Sequence, residues 1–504
     1  MAQGYFIDDL EFQCEGPAAE AGLRLLDLRG GDQLNAPYAY ELLVQTEQDG
    51  GLDEATLVDL TRRRVSFWFG REGGMDTIHG VVQAIELRPP MASSPVSYTI
   101  TVVPELQRLA LGRRSRVFHS MSYPAIVRRV LRDVGWTEDT EFEFRLSRSA
   151  RSPADPSILP DPGQGDDDFV DYPAREYTVQ YEESDLQFIQ RLLEHEGIHY
   201  RFVQGDEREK LVFGDDNAHF EETVDISYQP NFDGSDTPVV RRLSQKRVLR
   251  PARVDLRDYN WRTPSVSPEG TSDVDTQGYG FVAGYGEHFR DPAEGQRYAV
   301  LRAEELTAEQ VRYQGTSTHT GIRPGARVRL EGCPLPDLDQ EYVVVAVEQS
   351  VRLEEDGVRP FEMSFVAQAF DVPFRPPRVT PRPRIDGVMH ARIDGEVAGM
   401  VAPIDDDGRY RVRLPYDSGT YVQGRASRWI RMAQPTAGQG YGMHFPLHVG
   451  VEVMLSHVGG DPDRPVIVGS IPNRETVTPV TRENATQSQV RTRSGILMEF
   501  EDDA

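Results

Sequence analysis

Alternation of apolar and polar residues in the last fifth of the chain constrains the fold more than any other feature of the sequence. Between positions 449 and 455 the odd-numbered residues are apolar, and glycine or polar residues such as Glu452 dominate between them. A period of two predicts a half-buried β-strand. The turn sequence GGDPDRP follows, in which glycines tolerate positive φ and prolines cannot donate to a β-ladder. Residues 466–468 then begin another strand.

A second alternating segment, residues 409–414, points to the same architecture. Tyr410, Val412 and Leu414 fall on one face, and Arg409, Arg411 and Arg413 fall on the other. Short strands of this kind, separated by glycine and proline turns, predict a small antiparallel barrel.

The bulk composition indicates several soluble domains rich in β-structure. The chain has 504 residues, of which 38% are hydrophobic and 27% charged, and it contains 44 glycines and 35 prolines. A single core does not extend over this length, so three or four domains are expected. Many turns imply many short strands, and we expect a mainly β protein with a few helices.

Charge and cysteine usage limit the function classes. The net charge is −26, which disfavours a polyanionic partner such as nucleic acid. We find no apolar run of about 18 residues and no basic and apolar leader at the start, so we expect folding in the cytoplasm. Cys14 and Cys333 match no metal-ligand spacing and are expected to be free thiols.

Three helices and several strands can be located from local patterns. We predict helices from Tyr123 to Gly135, over ESDLQFIQRLLEHEG with Gly197 at its end, and from the cap Asp291 to about Gln310. Predicted strands cover residues 64–69, 78–87, 97–103, 326–330, 341–348 and 361–367. Residues 147–172 indicate an exposed loop, and the proline- and arginine-rich residues 372–384 indicate an extended linker.

Longer segments carry a family resemblance. DDDGRYRVRLPYD, SRWIRMAQPTAGQGYGM and FPLHVGVEVMLSHVGGDPDRPVIVGSIPN resemble the OB barrel of the VgrG family, the spike proteins of type VI secretion systems. YTVQYEESDLQFIQRLLEHEGIHYRF and DPAEGQRYAVLRAEELTAEQVRYQGTSTHTGIRPGARVRL resemble the first module of that family, which is similar to the baseplate hub of contractile phages. The likeness spans nearly the whole chain.

The resemblance implies a domain order. We expect a first hub-like β-barrel in residues 1–115, a helix-containing α+β insertion in 116–237 and a second hub-like barrel in 238–371. The linker 372–384, an OB-fold barrel in 385–473 and a neck in 474–504 that leads towards a trimeric β-helix needle complete the order. The implied OB core and trimer contacts are Trp429, Ile430, Val451, Val453, Leu455, Val466 and Val468.

The resemblance also implies a structural function without catalysis or cofactor. It implies a homotrimer that joins a hexameric Hcp-like tube to a membrane-puncturing PAAR-type tip, contacts baseplate proteins, carries effectors and meets the target membrane only during firing. The protein would assemble in the cytoplasm and leave through the injection machine. The spike of a phage tail or of an extracellular contractile particle is the alternative within this class.

One short motif suggests a different class of protein. His195, Glu196 and His199 satisfy the pattern H-E-x-x-H, in which two histidines one helical turn apart bind zinc and the glutamate acts as a base. That geometry requires one continuous helix, but Gly197 lies where we expect the helix to end. No convincing third ligand for this zinc metalloprotease hypothesis lies nearby in the sequence, although His219 is available.

Other motifs are weaker. The acidic runs 166–168 and 405–407 lack the spacing of an EF-hand, and the glycine-rich segments 278–286 and 438–442 lack the context of a dinucleotide site. The arginine face of residues 409–413, with Trp429 and Tyr441 nearby, suggests nucleic-acid binding. The net charge favours instead contact of these arginines with the acidic first module or a neighbouring subunit.

Overall fold

The structure is a computed structural model that describes residues 5–46, 51–71, 74–88, 95–147, 169, 172–231, 237–354, 357–399, 401–419 and 422–502. The α-helices in these residues are α1 (Pro17–Glu20), α2 (Glu54–Leu60), α3 (Tyr123–Asp133), α4 (Asp185–Glu196) and α5 (Pro292–Ala308). No helix in the described residues combines the length and apolarity needed to cross a membrane.

Strands dominate the described residues. The first fourteen are β1 (Tyr5–Phe6), β2 (Asp9–Cys14), β3 (Leu23–Gln33), β4 (Ala36–Thr46), β5 (Arg64–Arg71), β6 (Gly74–Arg88), β7 (Ser97–Val103), β8 (Arg114–Met121), β9 (Phe142–Arg145), β10 (Arg175–Glu183), β11 (His199–Gln204), β12 (Glu209–Gly214), β13 (Thr223–Tyr228) and β14 (Val239–Arg247). The others are β15 (Arg253–Arg257), β16 (Glu269–Asp273), β17 (Phe281–Tyr285), β18 (Val311–Ser317), β19 (Arg327–Glu331), β20 (Glu341–Val351), β21 (Pro360–Ala369), β22 (Val388–Ile393), β23 (Val412–Arg413), β24 (Ala437–Gly438), β25 (Tyr441–Gly442), β26 (Glu452–His457), β27 (Pro465–Ser470), β28 (Gln487–Arg491) and β29 (Leu497–Glu501).

The chain forms two compact units that interleave in sequence. The larger unit comprises Met1–Leu111, Val127–Ala150 and Leu186–Thr380, and the smaller unit comprises Gly112–Ile126, Arg151–Asp185 and Pro381–Ala504. The predicted mainly β class with a few helices is confirmed.

The larger unit is built on one thirteen-stranded sheet among the described residues. Six of its strands form a closed barrel in the order β21-β18-β14-β13-β19-β20, because β20 also pairs with β21. Six more follow from β20 in the order β3-β4-β7-β6-β5-β2. The unit therefore holds two six-stranded sets that share one hydrogen-bonded sheet.

Strand β20 joins the two sets. One of its edges is divided along its length: Glu341 to Val343 pair with β19, and Ala346 to Val351 pair with β3. Its other edge pairs with β21 over most of its length, with a bulge between Val344 and Ala346. A bulge bends and twists a strand, so this one lies where β20 passes from one set to the other.

The predicted helices and most of the predicted strands are confirmed with small changes at their ends, whereas the strand predicted at residues 409–414 is reduced to Val412–Arg413 and that predicted at 449–455 begins only at Glu452. Helix α5 begins after Asp291, whose carboxylate accepts a hydrogen bond of 2.9 Å from the Glu294 N–H, and it ends two residues before the expected Gln310. Helix α4 ends at Glu196 and is followed by Gly197, which has φ 72°, and the Ile198 N–H donates to the Leu193 carbonyl at 3.0 Å. Such a bond satisfies one of the carbonyl groups in the last turn of a helix, which have no N–H partner within the helix.

The predicted linker is extended, and its first half lies on the larger unit. Phe374 is buried, Arg375 donates a 2.7 Å hydrogen bond to Glu304, and the Thr380 hydroxyl donates to Glu194 at 2.6 Å. Proline keeps the intervening backbone extended without ladder partners. These contacts hold the segment up to Thr380 in one conformation.

A buried polar network lies inside the larger unit. Arg323, in the loop between β18 and β19, donates a 2.6 Å hydrogen bond to Asp76 on β6 and a 3.1 Å bond to the Thr77 carbonyl. Asp32 on β3 is buried nearby and interacts electrostatically with both Arg323 and Asp76. The Arg323 guanidinium therefore interacts with two buried carboxylates, both on strands of the six-stranded set that begins with β3.

Burial decides the charge state of these acids. Desolvation raises the pKa of Asp32 from 3.8 to about 7, although Arg323 acts in the opposite direction. Desolvation also raises the pKa of Asp76, against the lowering effect of the same arginine. Because Asp76 accepts the direct hydrogen bond from Arg323, we assign the ionised carboxylate to Asp76, and Asp32 is the acid whose pKa lies near 7.

We predict that Asp32→Asn stabilises the protein at pH 8. A folded-state pKa above the unfolded value means that stability is fully present below about pH 4 and is lost as the pH rises through about 7. Since one pKa unit corresponds to about 1.4 kcal/mol, we expect a gain of about 1 to 4 kcal/mol at pH 8 and little change at pH 4.5. Thermal and urea unfolding at both pH values measure this difference.

The matched variant is Asp76→Asn, which leaves Arg323 buried without its directly bonded carboxylate. We expect this variant to lose about 3 kcal/mol or more at pH 8. Equal losses in the two variants at pH 8 would show that Asp32 is ionised and paired as firmly as Asp76.

Candidate functional site

The smaller unit contains the barrel predicted from the alternating segments. Strands β23, β22, β26 and β27 form its sheet in that order, and Tyr410 bridges to both Ile404 and Ile430. Alternate residues point inward, as a period of two requires. The buried apolar side chains from these segments are Ala391, Ile393, Tyr410, Val412, Leu414, Ile430, Leu447, Val453, Leu455 and Ile467.

The predicted core residues divide into two groups. Ile430, Val453 and Leu455 are buried in the barrel of their own chain, and Val451 packs against them. Trp429 is half-buried, and the Arg411 guanidinium lies 4.5 Å from its ring centroid.

Strand β27 contributes one buried residue to this core. Its sequence carries three consecutive apolar residues, and only the middle one, Ile467, is buried, whereas Val468 is 45% exposed and Val466 is half-buried. Because all three residues are apolar, the sequence does not tell which of them faces the barrel interior, and of the three only Ile467 belongs to the buried core of the single chain. The role of Val466 and Val468 in a subunit contact stays a prediction.

Part of the barrel core comes from a distant segment. Strands β8 and β10 form an antiparallel ribbon, and Val117, Tyr177 and Val179 from this ribbon belong to the same buried cluster as the barrel strands. The Val179 N–H also donates a 2.6 Å hydrogen bond to Asp463. The sequence gives no local signal for this packing, because the partners are separated by more than 200 residues.

A second ribbon ends the described chain. Strands β28 and β29 pair with Val490 opposite Met498 and Ser488 opposite Phe500. Val490, Met498 and Phe500 share one face, and all three are exposed in the single chain. The other face carries Leu497 with mainly polar residues. A two-stranded ribbon with an uncovered apolar face is marginal in water, so this element needs a partner surface.

The arginine face of the barrel is only partly paired within its own unit. Arg409 forms ion pairs with Asp405 at 2.7 Å and Asp407 at 3.2 Å, and Arg411 donates a 2.7 Å bond to the Gly424 carbonyl. Arg409 thus has carboxylate partners in the adjacent turn, and contact of the arginine face with another subunit stays a prediction. Arg413 makes no contact as close, its nearest carboxylate lying 3.8 Å away on Asp394.

The H-E-x-x-H segment does not form a metal site. His195 lies in the last turn of helix α4 and its ring centroid lies 4.7 Å from that of Tyr298, whereas His199 lies in β11 and stacks on Phe220 at 4.5 Å. Glu196 accepts hydrogen bonds of 2.7 Å from both Arg297 and the Tyr298 hydroxyl. Within the described residues, the two histidines belong to no group of three ligand atoms close enough for a metal.

His199 has a structural environment. Burial lowers its pKa from 6.5 to about 3, so the ring is neutral at pH 7. It lies opposite Gly214 in the β11–β12 ladder, where a Cβ atom would come within 2.6 Å of the imidazole Cε1. The absence of a side chain at Gly214 makes room for the ring.

The remaining motifs also have structural roles. Asp405 organises the acidic turn, because it accepts from the Asp407 and Arg409 N–H groups at 3.1 Å and 2.8 Å. The acidic run 166–168 lies outside the described residues. Residues 438–442 contribute to the short β24–β25 pair, and residues 281–285 form β17. Cys14 and Cys333 are free thiols, as expected.

Comparisons with known proteins match both units of this architecture. The family model of the phage tail baseplate hub (GPD) matches residues 32–355, and that of the type VI secretion system/phage-baseplate injector OB domain matches residues 397–471. A hub and an injector barrel in one chain define a spike component of contractile machines. The chain belongs to the VgrG family of type VI secretion system spike proteins.

Individual relatives and structures agree with this family. The spike protein VgrG4b of Pseudomonas aeruginosa is 28% identical over 89% of this chain and 54% of its own length. The actin cross-linking toxin VgrG1 of Vibrio cholerae is 27% identical over 83% of this chain and 37% of its own length. The chain thus spans about half or less of these two relatives.

A solved structure shows the same fold. The E. coli c3393 protein, described as a type VI secretion component with structural similarity to the phage T4 tail proteins gp27 and gp5, superimposes with a TM-score of 0.66. The match covers 92% of this chain and 100% of that one at 22% identity.

We predict that His195→Ala and His199→Ala change stability but not metal content. After incubation with zinc and gel filtration, elemental analysis of the wild type and both variants is expected to give far less than one zinc per chain. His199→Ala should lose about 2 to 4 kcal/mol of unfolding free energy, because it removes a buried ring. One zinc per wild-type chain that disappears in both variants would contradict this assignment.

Proposed function

We propose that the chain is the hub and barrel portion of a non-enzymatic homotrimeric spike that connects a hexameric tube to a puncturing tip. The observation that carries this proposal is the order of the two matched modules: a hub at residues 32–355 precedes an injector barrel at residues 397–471. The exposed ribbon β28–β29 follows the barrel.

The two six-stranded sets of each chain support a role in joining a threefold spike to a sixfold tube. Each chain supplies two sets joined through β20. Three chains would therefore present six sets, the number required to face a six-membered tube. The tube partner would be an Hcp-like ring, with baseplate proteins around it.

The ribbon β28–β29 supports trimerisation. Its face of Val490, Met498 and Phe500 is 42%, 58% and 59% exposed in the single chain. Burial of apolar surface stabilises association by roughly 25 cal/mol per Å². Three such faces meeting on an axis would cover one another, and they would form the start of a needle that bears a PAAR-type tip.

Delivery of effectors belongs to the same proposal. The relative named as an actin cross-linking toxin matches 83% of this chain, and the matched region is only 37% of its own length. A spike of this kind would assemble in the cytoplasm, leave through the machine and carry its cargo to a target membrane. The spike of a phage tail or extracellular particle is the alternative use of the same architecture.

We predict that the protein has a native mass three times that of the 56.8 kDa chain. Met498→Glu places a charge on the apolar face of the ribbon and should convert the trimer into single chains. Leu497→Glu introduces the same group one residue away on the polar face, opposite Arg491, and should leave the trimer intact. Sedimentation velocity measures all three masses.

Two results would overturn this assignment. A wild-type protein that is a folded single chain at micromolar concentration contradicts the trimer. Equal native masses of the Met498→Glu and Leu497→Glu variants contradict the role of this ribbon face in association.

A further inference from the structure

A cavity on the barrel brings together two arginines that lack close partners. Its volume is about 560 Å³, and Arg392, Arg413, His390, Glu452 and Asp417 contribute to its wall. All of them belong to the smaller unit. The cavity therefore lies within one compact unit.

The two arginines are direct cross-strand neighbours. Arg392 on β22 pairs in register with Arg413 on β23. Like charges directly opposite each other on adjacent strands are destabilising. An anion between the two guanidinium groups would remove this repulsion.

Among the residues that the structure describes, the nearby carboxylates form no hydrogen bond with the guanidinium groups of Arg392 and Arg413. Glu452 is the cross-strand neighbour of Arg392 on β26, but its two oxygens accept hydrogen bonds from His390 at 2.6 Å and Asn473 at 2.7 Å. The closest carboxylate oxygens are 3.7 Å from Arg392, on Glu475, and 3.8 Å from Arg413, on Asp394. Neither arginine side chain donates a hydrogen bond within the described residues.

Asp394 is itself engaged elsewhere. It is buried, and its Oδ2 accepts a 3.0 Å hydrogen bond from the Ala426 N–H. Both arginine side chains are 59% exposed and reach the cavity wall. Guanidinium groups in this position can each donate two parallel hydrogen bonds to one carboxylate.

We propose that this cavity binds a carboxylate side chain from a neighbouring copy of the chain. A carboxylate fits better than a phosphate or a nucleic acid, because Glu452 and Asp417 in the same wall repel groups of higher negative charge. A second copy is rich in the required group, with 81 acidic against 55 basic residues.

The position of the cavity favours a second copy as the source. Glu452 binds Asn473, and Arg392 faces Glu475, where the chain leaves the barrel towards the ribbon β28–β29. The cavity therefore borders the segment that leads from the barrel to the ribbon expected to associate. This inference rests on the proposed trimer and specifies a polar contact within it.

The test compares Arg392→Gln/Arg413→Gln with Arg24→Gln/Arg113→Gln. The control removes the same two charges from exposed arginines that have no ion pair among the described residues. Native mass spectrometry over a dilution series is expected to show that the cavity variant dissociates at a concentration at least about tenfold higher than the wild type, since three contacts are lost together. The control should match the wild type. Circular dichroism verifies that both variants are folded.

A second arm uses glutarate as a free carboxylate probe, with sodium chloride at equal ionic strength as its control. A stable wild-type trimer whose dissociation is unchanged in the cavity variant overturns the proposal. If glutarate then raises the melting temperature of the wild type but not of the cavity variant, the site takes a free carboxylate instead of a subunit side chain.

The two arms also separate this inference from the proposed function. A wild-type single chain contradicts the trimer. In that case, a glutarate-dependent stabilisation that requires both arginines supports the carboxylate cavity, and its absence overturns the cavity as well.

Discussion

The sharing of strand β20 between two six-stranded sets is the interaction on which the rest of the larger unit depends. One edge of this strand pairs first with β19 and then with β3, while the other edge pairs with β21. A buried strand cannot leave its N–H and C=O groups unpaired without a large cost in free energy. The relative position of the two sets is therefore fixed by backbone hydrogen bonds. Arg323 adds a side-chain link by binding Asp76 of the other set.

The smaller unit contrasts with this closed arrangement. Its barrel buries the inward residues of its strands, but the ribbon β28–β29 leaves an apolar face uncovered. The two units thus differ in what they require: the sheet of the larger unit pairs within one chain, and the ribbon needs further surface. The proposed trimer, with a hub built within each chain and a needle built from several copies, requires this division of properties.

The sequence was informative where local periodicity controls structure. Alternation identified the barrel strands and the buried positions Val453 and Leu455, and the cap and the terminal glycine located helices α5 and α4. Gly197 also argued correctly against a continuous helix through the H-E-x-x-H motif. Periodicity does not predict the buried residue of β27, because Val466, Ile467 and Val468 are all apolar and do not alternate with polar residues.

Local sequence patterns do not predict contacts between segments that are far apart in the chain. The packing of Val117, Tyr177 and Val179 into the barrel depends on which strands meet, and no residue near them encodes that choice. The Arg323–Asp76 pair joins residues 247 positions apart, and each appears in the sequence as an ordinary charged residue. The Arg392–Arg413 pair likewise becomes visible only through the strand register.

The charge of the protein decides how copies can associate. Each chain carries −26, so three chains repel one another at long range. At physiological ionic strength the screening length is about 8 Å, and repulsion between exposed charges beyond this distance is largely removed. Contacts at shorter range then determine whether assembly occurs. In the proposed trimer, apolar surface on the ribbon supplies affinity that does not depend on charge, and the Arg392–Arg413 pair orients the copies by binding one of the abundant carboxylates. An acidic chain can thereby assemble in a single arrangement without a basic partner.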